Sequence, residues 1–205
     1  LRLLAETQIP KVFLDTSSLV APDELNGDLL LMESRTSVRR ITSHLLEQGR
    51  TLPGFIGDIG YAQSNRERYE GFCQALTDAG KKVDSSLCLT TPLGIDTYRE
   101  EIDTFLSSLS RMPDAFVCAS DYVACILMQL LEKRGLRVPE DVAVSGFDNN
   151  TEDLLAEHLT TVQVFNEELG ARLALQILYR IKYPNTPHEI TYLGTNVLYR
   201  DSTGD

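Results

Sequence analysis

Tryptophan is absent from this 205-residue chain, and histidine occurs only at His44, His158 and His188. The four cysteines, Cys73, Cys88, Cys118 and Cys125, form no C-x-x-C pair and no metal-ligand spacing with those histidines. Cys118 lies in a strand-like apolar run, and Cys73 and Cys125 in helix-like ones, so buried, reduced thiols of a cytoplasmic protein are expected. No apolar run approaches the roughly 18 residues of a membrane span, and no signal-peptide pattern is present. Basic residues are scarce too: 19 against 30 acidic ones, for a net charge of −11. A surface that acidic repels phosphate backbones, which argues against a direct grip on nucleic acid by these residues. Any such role falls to a part or partner beyond this chain.

Signatures of catalysis are missing as well. Gly54-Phe55-Ile56-Gly57-Asp58-Ile59-Gly60 is glycine-rich but matches neither G-x-G-x-x-G nor a P-loop ending in Gly-Lys-Ser/Thr. No nucleophile elbow occurs, and no histidine follows a strand-like run, where a general base would be expected. A non-enzyme is therefore expected, without catalytic residues, metal or cofactor. The opening Leu1-Arg2-Leu3-Leu4 has no initiator methionine and reads as the tail of a helix. We expect a piece of a longer protein.

What is present is an ordinary globular balance, 42 % apolar and 24 % charged. Short apolar runs alternate with amphipathic segments, the pattern of an α/β fold with a largely parallel sheet. Strands are expected at Val12–Leu14, Leu29–Met32, Pro53–Ile56, Ser86–Leu89, Ala115–Ala119, Val142–Phe147 and Thr191–Leu198. Helical spacing joins Tyr69, Phe72, Cys73, Leu76 and Ala79 before Gly80, and Tyr98, Ile102, Phe105, Leu106 and Leu109. It also joins Val123, Ile126, Leu127, Leu130 and Leu131 before Gly135, and Leu169, Leu173, Ala174, Ile177, Leu178 and Ile181. Ser64 with Glu67, and Thr97 with Glu100, have capping-box spacing.

Polar residues fall just after the strand-like runs: Asp15, Asp58, Ser120 with Asp121, and Asp148 with Asn149 and Asn150. In a parallel sheet these positions share the carboxyl-end crevice, where such folds bind ligands. One aspartate after a strand is ordinarily a turn or cap residue. Four strands ending this way point to a polar small-molecule site.

Two stretches carry a family likeness. Gly54-Phe55-Ile56-Gly57 followed by Ser64-Asn65-Arg66-Glu67-Arg68-Tyr69-Glu70-Gly71-Phe72 and Ala75-Leu76-Thr77-Asp78-Ala79-Gly80 resembles a block of LacI/GalR-type bacterial transcription regulators. A second block of theirs is similar to Pro113-Asp114-Ala115-Phe116 through Ala119-Ser120-Asp121, then Gly135-Leu136-Arg137-Val138-Pro139-Glu140-Asp141-Val142, Gly146-Phe147-Asp148 and Leu159-Thr160-Thr161-Val162. The likeness runs from about Ile9 to Thr203. It implies a two-lobed periplasmic-binding-protein-like fold with three crossing strands and an effector in the cleft.

On that plan residues 1–32 and 165–194 form a partial N-terminal lobe. Residues 33–164 and 195–205 form a complete C-terminal lobe, with crossings near Met32–Glu33, Val164 and Thr195. The resemblance implies ligand contacts at Asp15, Ser64, Arg68, Ser120 and Asp148, for a small polar effector such as a sugar. Carboxylates on either side of one arginine suit a neutral polyol better than an anion. It further implies DNA contact only through an absent helix-turn-helix head, and helix Tyr122–Leu131, with more apolar surface than one face needs, is expected either to pack in part against a second subunit of a homodimer or to belong wholly to the core. The alternatives are a transporter's solute-binding protein and an α/β enzyme.

The sequence departs from the family pattern in two places. Ser120 replaces the usual asparagine before Asp121, and Val164 stands where glutamine is expected. Asp121 itself is read as a helix N-cap. Without tryptophan to stack on a sugar face, Tyr61, Phe147 or Tyr122 could substitute, or could belong to the core.

Overall fold

The computed structural model describes residues 2–94, 96–149 and 157–205. The alternation of apolar runs and amphipathic segments becomes two parallel sheets flanked by helices. After a short helix α1 (Arg2–Ala5), β1 (Val12–Leu14) and β2 (Asp28–Met32) begin the smaller sheet, which has the order β1-β2-β8. Its third strand, β8 (Ile190–Leu193), arrives from the far end of the chain and pairs parallel to β2, Leu29 opposite Ile190. Only the central strand is buried along most of its length; β1 and β8 are edges, with Ile190 and Tyr192 exposed.

The larger sheet has the order β4-β3-β5-β6 and is parallel throughout. Its strands are β3 (Pro53–Ile56), β4 (Cys88–Leu89), β5 (Ala115–Cys118) and β6 (Ala143–Ser145). Strands β3 and β5 are buried at every residue, as expected where helices cover both faces. Those helices are α2 (Arg35–Glu47), α3 (Gln63–Asp78), α4 (Tyr98–Ser108) and α5 (Asp121–Lys133). A last helix, α6 (Asn166–Lys182), returns to the smaller sheet.

Three features differ from the sequence reading. Helix α2 went unrecognised because its inward face mixes Ser37 and Thr42 with Val38, Ile41 and Leu45, diluting the apolar stripe. Strand β7 (Thr161–Gln163) is not among the expected strands, which place only a crossing after it, near Val164; it lies beside β6 through bridges Ser145–Thr160 and Asp148–Gln163. The expected strand Thr191–Leu198 is two strands. It breaks at Gly194-Thr195, and β9 (Asn196–Leu198) leaves β8's sheet to pair antiparallel with β7.

That break is one of three places where the chain passes between the sheets. The others are Glu33-Ser34, between β2 and α2, and Val164-Phe165, between β7 and α6. Two of them are tied together: Glu33 N–H donates to the Leu193 carbonyl at 2.7 Å, and the Thr195 hydroxyl to the Glu33 carbonyl at 2.8 Å.

Close packing explains two of the motif glycines. A Cβ at Gly71 would stand 2.2 Å from the Arg35 carbonyl oxygen, so glycine lets α3 press against the start of α2. A Cβ at Gly146 would stand 2.2 Å from Asp121 Oδ1, which lets the β6 end close over the first turn of α5.

The motif residue Thr160 ties the C-terminal segment down, its hydroxyl donating to the Arg200 carbonyl at 3.1 Å. Thr160 N–H donates to Ser202 Oγ at 2.8 Å, and Ser202 Oγ–H to the Val144 carbonyl at 2.6 Å, fastening the C-terminal segment to β6. The smaller sheet is held to α6 by a buried ion pair. Asp28 receives Arg180 Nε at 3.1 Å, Gln176 Nε2 at 2.7 Å and Glu189 N–H at 2.9 Å. Burial works to raise the Asp28 pKa, but these hydrogen bonds outweigh it and hold the carboxyl below its usual range.

Cys118 and Cys125 are buried, Cys73 and Cys88 half-buried, and all four are free thiols. Among the described residues no helix is long and apolar enough to cross a membrane.

Candidate functional site

The strand order brings the polar strand-end residues together. β3, β5 and β6 are adjacent and parallel, so the segments after Ile56, Cys118 and Ser145 emerge on one side. Asp15, after β1, meets them from the smaller sheet.

Arg68 is the centre. It sits in the second turn of α3 with 5 % of its side chain exposed. One terminal nitrogen donates to the Ala119 carbonyl, just past β5, and reaches Asn65 Oδ1 at 3.4 Å. The other lies 3.5 Å from Asp148 Oδ1 and 3.5 Å from Met32 Sδ. The guanidinium carbon stands 3.7 Å from the centroid of the Phe147 ring, a close cation–π contact. Nε is buried with no protein partner. Burial pushes the guanidinium's pKa down, against the pull of Asp148, Asp15, Asp121 and Glu67. Of these four, Asp148 lies within ion-pair distance, at 3.5 Å.

Asp148 follows β6 with a backbone φ of 111°, a conformation that side chains other than glycine rarely adopt. Its N–H donates to the Val162 carbonyl at 3.0 Å, so the β6–β7 bridge holds the twist. The carboxylate is 43 % exposed and faces Arg68. Burial raises its pKa, and the neighbouring guanidinium opposes the rise.

Asp15 and Ser64 form a second pair. Asp15 also has positive φ, 60°, and its carboxylate accepts from the Ser64 hydroxyl, from Ser64 N–H at 3.4 Å and from Thr16 N–H at 2.7 Å. Gln63 N–H donates to the Thr16 carbonyl at 2.7 Å. The start of α3 is thus satisfied from the β1 end.

That corrects the expected capping box. The N-cap residue is Ala62, Ser64 lies inside the helix, and its hydroxyl serves Asp15 rather than the α3 backbone. At the other expected box the N-cap is Thr97, but it makes no side-chain cap bond, and its hydroxyl pairs with Glu101 in place of Glu100.

Ser120, not Asp121, is the N-cap of α5, its hydroxyl accepting from Val123 N–H at 3.3 Å. Asp121 is buried in the first turn and accepts from the Thr161 hydroxyl. Asp58 behaves as a turn residue, accepting from Gly60 N–H at 2.8 Å and Tyr61 N–H at 3.1 Å. Asn150 lies outside the described residues.

All five expected ligand residues therefore gather at one end of the large sheet, with Arg68 and Asp148 facing each other and Asp15 bonded to Ser64. The sequence reading missed Asn65, whose spacing of three before Arg68 on one helix face would have found it. It also missed the side chain of Gln163. Asn149 Nδ2 donates to Gln163 Oε1, and Arg200 donates to Asn149 Oδ1 at 2.8 Å, while Val164 is core.

A family model described as a periplasmic binding protein-like domain matches residues 42–203. The chain is a LacI-type periplasmic-binding-protein-like domain. This LacI-type domain is 31 % identical over 170 residues to the HTH-type transcriptional regulator DegA of Bacillus subtilis, covering 82 % of the chain and 48 % of DegA. It is 30 % identical over 190 residues to the HTH-type transcriptional repressor PurR of Actinobacillus pleuropneumoniae, covering 92 % and 55 %. The chain spans about half the length of these curated relatives.

Among solved structures, a LacI-family transcriptional regulator from Sanguibacter keddieii superposes with a TM-score of 0.80 at 27 % identity. The match covers 96 % of the chain and 72 % of that regulator. The complex of transcriptional regulator CelR with cellobiose gives 0.81 at 28 %, covering 93 % and 58 %.

Proposed function

We propose that this LacI-type domain is the effector-sensing region of a cytoplasmic transcription regulator, binding a neutral, hydroxyl-rich ligand of the sugar class between its two sheets. The observation that carries the reading is the charge arrangement at Arg68. The guanidinium faces the Asp148 carboxylate at 3.5 Å and its Nε is buried without a protein partner, so a donor and an acceptor stand side by side. A phosphate or carboxylate ligand at Arg68 would be repelled by the Asp148 carboxylate beside it. A sugar hydroxyl can donate to a carboxylate and accept from the guanidinium at once. CelR, a 28 % identical relative by structure, is solved with cellobiose, a neutral sugar.

In this reading residues 1–32 and 165–194 belong to one lobe, and 33–164 and 195–205 to the other. The three crossings between sheets serve as the hinge. Ligand in the cleft favours one lobe arrangement, and that difference in free energy is passed to a DNA-binding head outside this chain. The homologous proteins are transcription regulators rather than enzymes or transport proteins.

The functional unit is a homodimer. Within the monomer α5 already buries Val123, Ala124, Ile126, Leu127, Leu130 and Leu131, so its share of a subunit contact reduces to Tyr122 and Met128.

The test is a thermal-shift screen of the full-length protein against neutral sugars and the matching sugar phosphates. A neutral sugar is expected to raise the melting temperature and its phosphate to do so less. Stabilisation by phosphates alone would refute the reading.

A further inference from the structure

The leading N–H groups of a helix have no partner inside it, so something outside must satisfy them. The cap residue of α3 is Ala62, whose side chain offers nothing. The smaller sheet supplies the acceptors. Gln63 N–H donates to the Thr16 carbonyl at 2.7 Å, and Ser64 N–H to Asp15 Oδ1 at 3.4 Å. Both acceptors follow β1, at one edge of the β1-β2-β8 order.

The opposite edge grips the same helix. Tyr192, in β8, donates its hydroxyl to Glu67 Oε1 at 2.8 Å, and Gln63 Nε2 reaches the same oxygen at 3.2 Å. Glu67 is buried in the second turn of α3, where a carboxylate short of donors is costly. Burial and the bond to Glu67 push the Tyr192 hydroxyl up to about 12, so it stays a donor at neutral pH. Tyr192 also stands two residues before the crossing at Gly194-Thr195, where Glu33 N–H holds the Leu193 carbonyl. It therefore links a crossing strand to the helix that carries Arg68.

From this double grip we infer that Tyr192 and Glu67 form an interlobe latch: with Asp15 and Thr16 on the other edge, they hold the lobes together and set how often the cleft opens. The inference rests on the two-lobe reading above and deepens it, adding a pair that acts through lobe position rather than by touching the ligand. The geometry makes the two grips one equilibrium. Helix α3 is continuous from Gln63 to Asp78, so a lobe that swings away at Tyr192 also leaves Gln63 and Ser64. Those two N–H groups have no acceptor within the helix, and opening exposes them to solvent. Their exchange with water reports the open population.

The test is amide hydrogen exchange, read by mass spectrometry on the full-length wild type, Tyr192→Phe, Glu67→Gln and the double variant. In wild type, exchange at Gln63 and Ser64 is expected to be faster than at Ala119, whose N–H donates to the Ile56 carbonyl at 2.8 Å inside the larger sheet and is freed by unfolding. Tyr192→Phe raises exchange at Gln63 and Ser64 about tenfold, the low end for a hydrogen bond to a charged group. In the Glu67→Gln background the same substitution has a smaller effect, because the acceptor has lost its charge. Unchanged exchange at both positions in Tyr192→Phe overturns the latch and confines the phenol to a local contact. So does a full tenfold effect in the Glu67→Gln background, which assigns the hydroxyl another partner. No ligand enters the measurement, so it separates the latch from the reading beneath it. If Gln63 and Ser64 exchange no faster than Ala119 in wild type, the lobes do not part short of unfolding, and the two-lobe hinge falls with the latch. If they exchange faster but ignore Tyr192→Phe, the latch alone falls.

Discussion

Arg68→Ala tests the site's construction apart from any ligand. The substitution deletes a buried, charge-assisted hydrogen bond to the Ala119 carbonyl, worth about 1.5–3 kcal/mol. It also deletes a cation–π contact at 3.7 Å from the Phe147 centroid, worth about 1–2 kcal/mol where water is excluded. Asp148 also loses its partner; being 43 % exposed it is partly hydrated, so this is the smaller share of the penalty, and it is the share that depends on pH. The sum is about 2.5–5 kcal/mol near pH 7, or roughly a 10 °C fall in Tm for a protein of this size.

The pH dependence sharpens the test. Burial already raises the Asp148 pKa, and Arg68 opposes the rise. Without Arg68 the pKa climbs further. A carboxyl whose folded pKa is raised stabilises the fold when protonated, and that stability is lost as pH rises from the ordinary 3.8 through the folded value. Urea denaturation should therefore show a smaller Arg68→Ala penalty near pH 4 than near pH 7. An equal penalty at both pH values, or one below about 1 kcal/mol, would show that Arg68 and Asp148 are not coupled as described.

Two more substitutions test the frame around the site. Removing one partner of the buried Asp28–Arg180 pair, as in Arg180→Ala, should cost about 3–5 kcal/mol by denaturation, because Asp28 is left charged and enclosed. Since the folded Asp28 pKa is depressed, the wild-type contribution is present above the ordinary carboxylate value and fades as pH falls through the folded one, which Tm measured from about pH 6 to pH 3 will show. Gly71→Ala should destabilise by about 1–3 kcal/mol, since its Cβ meets the Arg35 carbonyl at 2.2 Å and forces α2 from α3. A neutral outcome would mean the two helices part without loss.

The α/β class and most strands were legible because fully buried parallel strands leave unbroken apolar runs such as Ala115–Cys118. The strand-end placement of Asp15 and Asp148 was legible for the same reason, parallel strands ending on one side, whereas Arg68, on α3, was reached only through the family resemblance. What could not be read was which group satisfies which. Ser64 has capping-box spacing, yet Asp15, forty-nine positions earlier, takes its hydroxyl. Ser120 and Asp121 are both good cap residues; the Thr161 hydroxyl and the tight Gly146 draw Asp121 inward and leave the cap to Ser120. The split after Leu193 depends on β9 finding β7, a pairing between distant segments that local propensity does not encode.

Arg68 and Asp148 together are proposed to hold a neutral sugar. Calorimetric titration of the full-length protein and its Arg68→Ala and Asp148→Ala variants with the best sugar from the screen tests it most directly. Either variant is expected to lose about tenfold to a hundredfold in affinity, a charged hydrogen bond's worth, while circular dichroism shows the fold retained. Wild-type affinity in both variants would contradict it.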